Sequence, residues 1–347
     1  MTSHAVSGKN RQWVLAKRLE GPVGPQNFRW AESTIPSPTE GQILVRNLWL
    51  SFDPTQVFSV SSPEYGGIPD GEAMRGLAVS QVVESRHPGF SPGDLVHGYS
   101  GWEDYSVTDG HGFFETTKVP AGIPPHLALG TLGVTGMAAY FGVREVAKPR
   151  KGETFVVAAA AGGVGSIAAQ IARTLGLRVI GIAGGKVKCD WLTSEAGIEA
   201  AIDRRSEDVG ARLDALCPQG IDIFFDNVGG PVLDEALARL RRNGRVVVCG
   251  ATPRYAQKTE PPGPMNYLQL CMVNGRMEGL LARDYSDRFP EAIEALQGWL
   301  RSGQIKSKED IVEGLENAPA TLARLFTGDN FGKQLLHLAD ALPDLPQ

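Results

Sequence analysis

The run Ala160-Ala161-Gly162-Gly163-Val164-Gly165-Ser166 is a G-x-G-x-x-G pattern with alanine at the first glycine. Residues without bulky side chains let a backbone approach a pyrophosphate closely. A helix opening near Val164 aims free N–H groups and the positive end of its dipole at the same phosphates. A glycine pair alone is more often just a turn, so the context decides. Here a short apolar run, Thr154-Phe155-Val156-Val157-Ala158-Ala159, comes before it. A helix follows, with Ile167, Ile171 and Leu175 along one face. Strand, glycine turn and helix together make Ala160, Gly162, Gly163, Val164 and Gly165 candidate dinucleotide-binding residues.

The next strand end chooses between two cofactors. A site for NADH usually carries Asp or Glu about 20 residues beyond the fingerprint, bound to the ribose 2′-hydroxyl. This chain has Ala183-Gly184-Gly185-Lys186-Val187-Lys188 instead. A carboxylate there repels a 2′-phosphate, whereas lysines attract one. Arg204 and Arg205, past a third strand, can add a bidentate grip. Any one of these cations reads equally well as a solvated loop residue. Jointly with the missing acid they point to NADPH, with Gly184, Lys188 and Arg204 around its 2′-phosphate.

The elements that must carry these residues fall into two textures. At 347 residues the chain has room for about two domains. Residues 12–126 read as short strands broken by Pro and Gly, such as Gln42-Ile43-Leu44-Val45-Arg46. Residues 128–298 alternate strand and helix, with further strands at 178–182, 200–202, 221–225 and 245–249. A helix is expected over 232–241, on the stripe Leu233, Leu237 and Leu240. Repeated βαβ units imply a doubly wound parallel sheet. The fold class expected is therefore α/β, a β-rich domain plus a Rossmann domain. The division expected is 1–127, then 128–298, with 299–347 returning to the first domain.

Composition excludes several other classes. A net charge of −5 and no basic stripe argue against nucleic acid as a partner. No apolar run approaches the ~20 residues that span a bilayer. The first 20 residues lack the apolar core of a secretory signal. Cys189, Cys217, Cys249 and Cys271 are widely spaced and form no C-x-x-C pair, which suits free thiols in the cytoplasm. His87, His97, His111 and His126 show no ligand spacing with a soft partner and read as surface or turn residues. Ser166 sits in the glycine loop rather than in a nucleophile elbow.

With those residues in view, the chain resembles the leukotriene B4 dehydrogenase/prostaglandin reductase branch of the medium-chain dehydrogenase/reductase superfamily. That branch also holds curcumin-reductase-like and alkenal double-bond reductases. The likeness runs over residues 12–338. Its markers are Leu50-Ser51-Phe52-Asp53-Pro54, the run 159–166, Phe225-Asp226-Asn227-Val228-Gly229-Gly230 and Gly328-Asp329-Asn330-Phe331-Gly332-Lys333. The resemblance implies a GroES-like β domain, a Rossmann domain, a homodimer and no metal. It implies hydride transfer from NADPH to the β-carbon of an enone or enal. It carries Lys188 over as the 2′-phosphate lysine, Asn227 and Asn330 as residues lining the nicotinamide end, and Tyr255 as the tyrosine beside the nicotinamide ribose. Asp53 and Thr55 fall in the substrate segment. There Asp53-Pro54-Thr55-Gln56-Val57 stands where relatives read Asp-Pro-Tyr-Met-Arg. Thr135 stands where some relatives have Pro, near the cofactor.

Zinc-dependent members hold their metal with cysteine and histidine, but every cysteine here lies at residue 189 or beyond. Carbonyl polarisation is then left to hydrogen-bond donors such as Tyr255 and the cofactor ribose. Two alternatives stay open on the sequence. One is a quinone reductase on the same scaffold; the other is a catalytically silent NADPH-binding sensor or partner protein.

Overall fold

A computed structural model of the protein describes residues 8–61, 67–112, 114–255 and 263–343. The chain divides into two compact units, the first formed by residues 1–129, 310–329 and 334–347. Strands β1 (Lys9–Leu15) and β2 (Phe28–Thr34) make an antiparallel ribbon, with Trp13 edge-on to Trp30. Strands β3 (Ile43–Ser51), β4 (Arg75–Ser85), β5 (Leu95–Gly101), β6 (Tyr105–Thr108) and β7 (Thr117–Lys118) belong to a larger antiparallel sheet. One face buries Ile43, Val45, Val82 and Val96. The polar Asn47 is buried among them only because it is fully engaged. Its Nδ2 donates to the carbonyls of Gly101 and Glu103, and its Oδ1 accepts from Ser80 and Ser100.

The second unit, residues 130–309 and 330–333, is built on a six-stranded parallel sheet. Its strands are β8 (Thr154–Ala158), β9 (Arg178–Ala183), β10 (Ala200–Asp203), β11 (Ile221–Asp226), β12 (Leu240–Val248) and β13 (Arg276–Gly279). Spatially they run β10-β9-β8-β11-β12-β13, all parallel. The inner strands are apolar because both faces are covered: Phe155, Val156, Val157, Phe224 and Phe225 have no exposed surface. Strand order reverses between β8 and β11, and doubly wound sheets bind ligands at the carboxyl ends of such a pair.

One local expectation needs correcting, and one strand is additional. The helix expected over 232–241 spans Gly230–Leu237, and Leu240 already opens β12, where it pairs with Ile221. Strand β13 has no counterpart in the sequence reading: it is four exposed residues at the sheet edge. After it come a helix, Phe289–Arg301, then β14 (Glu309–Glu313), a helix, Ala318–Thr327, and β15 (Lys333–His337). Strand β15 lies antiparallel to β3, with Leu336 opposite Leu50, and β14 flanks it. Residues 299–309 and 330–333 cluster with the second unit.

Candidate active site

The glycine turn begins where β8 ends. Ala159 takes a left-handed backbone, φ 50°, which sends the chain sharply upward. Ala160 is fully buried, and its N–H donates to Ile182 O at 2.9 Å, fastening the turn to β9. Gly162 caps the helix Gly163–Thr174 with no side-chain acceptor on the first N–H groups. Those donors therefore point outward with the helix dipole behind them. A Cβ on Gly165 would stand 2.2 Å from Ala159 O, and one on Gly162 3.1 Å from the same atom. A Cβ on Gly163 would meet Thr135 Cγ2 at 3.1 Å and Lys333 Cδ at 3.4 Å. Gly332 N–H donates to Ala161 O at 2.8 Å, and Gly332 bridges Gly162 in parallel. The result is a cradle of backbone donors whose width depends on missing side chains. Such a donor set fits a pyrophosphate.

A second corner forms at the end of β9. An added Cβ on Gly184 would lie 3.2 Å from Arg205 Nε and 3.5 Å from Arg204 Nε. Both arginines are exposed. Lys188 is half-exposed in the first turn of the helix Lys186–Ser194, and its N–H donates to Gly185 O. Lys186 is paired with Asp190. Sequence reasoning missed Asp203, the last residue of β10. Its Oδ1 accepts from Gly185 N at 2.7 Å and from Arg205 N at 3.0 Å. Those two backbone N–H groups hold its carboxyl below the usual range. The available signal was an Asp at a strand end just before a turn, a position where Asp commonly accepts from nearby backbone.

The carboxyl ends of β11 and β12 bring Asn227 and Tyr255 into one neighbourhood. Asn227 Nδ2 donates to Ala158 O at 2.8 Å, which ties β11 to β8 at the switch point. Its own carbonyl accepts from Thr252 Oγ1 at 3.4 Å, at the start of the short helix Thr252–Tyr255. Tyr255 Oη accepts from Ala251 N at 3.0 Å, and a Cβ on Gly250 would stand 3.1 Å from that oxygen. Burial pushes the Tyr255 phenol up, partly offset by the Ala251 N–H. Asp226 is buried beneath, accepting from Val228 N and Gly229 N; burial raises its carboxyl too. Asn330 Nδ2 donates to Gly332 O at 3.1 Å, so it shares the segment that meets the glycine turn.

Asp53 and Thr55 lie in the first unit. Asp53 N–H donates to Gln56 Oε1 at 2.9 Å, and Ser51 Oγ donates to Asp53 Oδ2 at 2.6 Å. Gln56 is buried and donates to Arg75 O, and Gly76 leaves the space its amide fills. Gln56 is thus spent on holding the turn, while Thr55 is exposed. His97 departs from the surface role expected of it. Its Nε2 is out of reach of solvent, and burial pushes the imidazole down to about 4, against the opposing pull of Asp53. Among the described residues no three His, Cys, Asp or Glu side chains converge as metal ligands would.

A family profile for the N-terminal domain of oxidoreductases matches residues 11–116, and one described as zinc-binding dehydrogenase matches residues 163–298. The NADPH-dependent curcumin reductase of Escherichia coli (strain K12) is 41% identical over 339 residues, covering 95% of this chain and 97% of that enzyme. The 2-alkenal reductase (NADP(+)-dependent) of Nicotiana tabacum is 39% identical over 336 residues, covering 94% of this chain and 97% of that enzyme. The crystal structure of CurA from Vibrio vulnificus in complex with NADPH superimposes with a TM-score of 0.88 at 38% identity, over 95% of this chain and 99% of that one. The chain belongs to the medium-chain dehydrogenase/reductase superfamily, in the zinc-independent branch of the curcumin, alkenal and prostaglandin reductases.

Proposed function

We propose that the protein is an NADPH-dependent reductase of the carbon–carbon double bond in α,β-unsaturated ketones and aldehydes. The observation that carries this reading is the cradle at 159–165, which only a glycine at 165 permits, joined to a cationic corner at Gly184. Ala160, Gly162, Gly163, Val164 and Gly165 would hold the pyrophosphate. Gly184, Lys188 and Arg204 would hold the 2′-phosphate, and Asn227 and Asn330 the nicotinamide end. Bound there, NADPH would supply a hydride for the β-carbon. Negative charge then grows on the carbonyl oxygen of the substrate, and a positioned donor lowers that barrier. Tyr255 suits this task because a phenol is a proton donor at neutral pH, and burial pushes it further up. Accepting from Ala251 N–H also orients the hydroxyl. The proton that completes the product goes to the α-carbon, from Tyr255 or from water. Asp53 fixes the turn that presents Thr55, and we assign that turn to the substrate side.

The test is loss of NADPH absorbance with an alkenal, an aryl enone, a quinone and a saturated ketone, with NADH run beside it. A saturated ketone formed from the enone supports the proposal. Turnover with the quinone alone favours a quinone reductase, and NADPH binding without any turnover favours a silent binding protein. Tyr255→Phe should lower kcat by roughly 10²–10⁴, the usual worth of such a proton donor, with a smaller change in NADPH affinity. Full turnover in that variant removes Tyr255 from the chemistry.

We further propose a homodimer formed through β13. Exposed Met277 lies in this edge strand and exposed Leu281 two residues past it, while exposed Met265, Tyr267, Leu268 and Met272 fall in the segment that leads into it. A two-fold axis through Met277 would set Arg276 of one copy opposite Glu278 of the other, pairing opposite charges across antiparallel edges. Met277→Arg should then shift the mass in sedimentation from dimer to monomer; a wild-type monomer sinks the idea. All four cysteines are free, which suits the reducing cytoplasm we assign to it.

A further inference from the structure

An acidic side chain near the adenosine ribose is ordinarily the mark of a site that prefers the unphosphorylated cofactor, since a carboxylate repels a 2′-phosphate. Asp203 stands in that neighbourhood, at the tip of β10 beside β9. Its hydrogen bonds give it a different role. Oδ1 accepts from Gly185 N at 2.7 Å and from Arg205 N at 3.0 Å, and Oδ2 accepts from Ser206 Oγ at 3.0 Å. The same short segment is pinned twice more. Arg204 N donates to Ala183 O at 2.9 Å, and Asp203 N donates to Glu207 Oε2 at 2.8 Å. The carboxylate therefore laces the turn after β9 to the turn after β10.

That lacing has a geometric product. Gly185 adopts φ 96°, a conformation its neighbours must hold in place. With both turns fixed, the guanidinium nitrogens of Arg204 and Arg205 come within 3.2–3.6 Å of the point where a Gly184 Cβ would stand. We infer that Asp203 is a positioning residue for the adenosine 2′-phosphate, an acid that favours NADPH by holding the cations that bind it. The inference rests on the NADPH reading above and adds a determinant of that specificity.

Charge and positioning predict opposite signs, so the idea is decided by direction. Were Asp203 merely a nearby negative charge, removing it would tighten binding of a 2′-phosphate. If it positions the arginines, removing it loosens that binding. The measurement is calorimetric titration of the full-length protein with 2′,5′-ADP and with 5′-AMP. Their affinity ratio isolates the 2′-phosphate, because both ligands share the adenosine and the 5′-phosphate. A general loosening of the fold would weaken both ligands and leave the ratio unmoved.

Asp203→Ala should lower the ratio about tenfold, near the worth of one charge-assisted hydrogen bond. Asp203→Asn keeps an oxygen able to accept both backbone N–H groups and should hold the ratio near the wild-type value. This second variant also decides the matter if the alanine variant fails to fold, since the charge account requires its ratio to rise. A ratio that rises in either variant, or that stays unchanged in Asp203→Ala, overturns the inference. A wild-type protein with no preference for 2′,5′-ADP over AMP would instead overturn the NADPH reading itself.

Discussion

The glycine cradle and the cationic corner sit at successive strand ends of one sheet, yet they are built from different materials. At the cradle, Gly165 faces a backbone carbonyl that cannot move, because Ala160 behind it is buried and bonded to β9. At the corner, Gly184 faces the far ends of two exposed arginines. The first region is specified by steric exclusion and oriented backbone dipoles. The second is specified by charge on flexible side chains, which salt screens. On the proposed assignment, the contrast lets one sheet keep a pyrophosphate cradle constant while a few surface residues retune the choice of cofactor.

Three substitutions probe that contrast. The largest effect should come from Gly165→Ala, whose methyl would be driven into Ala159 O. Overpacking of this kind costs about 3 kcal/mol at the upper end, and cofactor binding should fall with it. A Tm and an NADPH affinity both like wild type would show that the cradle can relax. Next, Lys188→Ala should weaken NADPH by roughly 1.5–3 kcal/mol, the worth of a charged hydrogen bond, and leave NADH almost untouched. Raising the salt concentration should shrink that difference, and an NADPH affinity equal to wild type removes Lys188 from the site. The smallest effect belongs to Gly184→Ala. Its methyl meets only side-chain nitrogens, and stability should stay within about 0.5 kcal/mol of wild type. A loss as large as that of Gly165→Ala would erase the distinction between the two regions.

The parts legible in the sequence share a physical cause. Strands β8, β9 and β11 are largely buried on both faces, so they read as short apolar runs, interrupted in β11 by Asp222, and the glycine turn follows directly from one of them. Strand β13 lacked that signature because an edge of four exposed residues, with Arg276 and Glu278 alternating about Met277, obeys no burial pattern. Leu240 misled because a leucine at helical spacing also suits a buried strand start, and only its pairing with Ile221 separates the two. At the two strand ends proposed for the phosphates, the glycines and cations stand in the sequence, but the bonds that shape their surroundings do not. Asp203 reaches back 18 positions to Gly185, and Gln56 spends its amide on Arg75, contacts that no local spacing encodes. His97 was misjudged because a histidine in a strand carries no mark of which face it occupies.

The hydrogen bond from Gly332 to Ala161 joins residues far apart in the order of synthesis. The segment 330–333 is the last piece of the second unit to be made, after 310–329 has been given to the first. A nascent chain can therefore assemble all six parallel strands and still lack one wall of its glycine turn. Completion of the glycine turn then waits for residue 332. A truncated chain ending before residue 330 should therefore bind NADPH and NADH alike more weakly, with the preference between them kept.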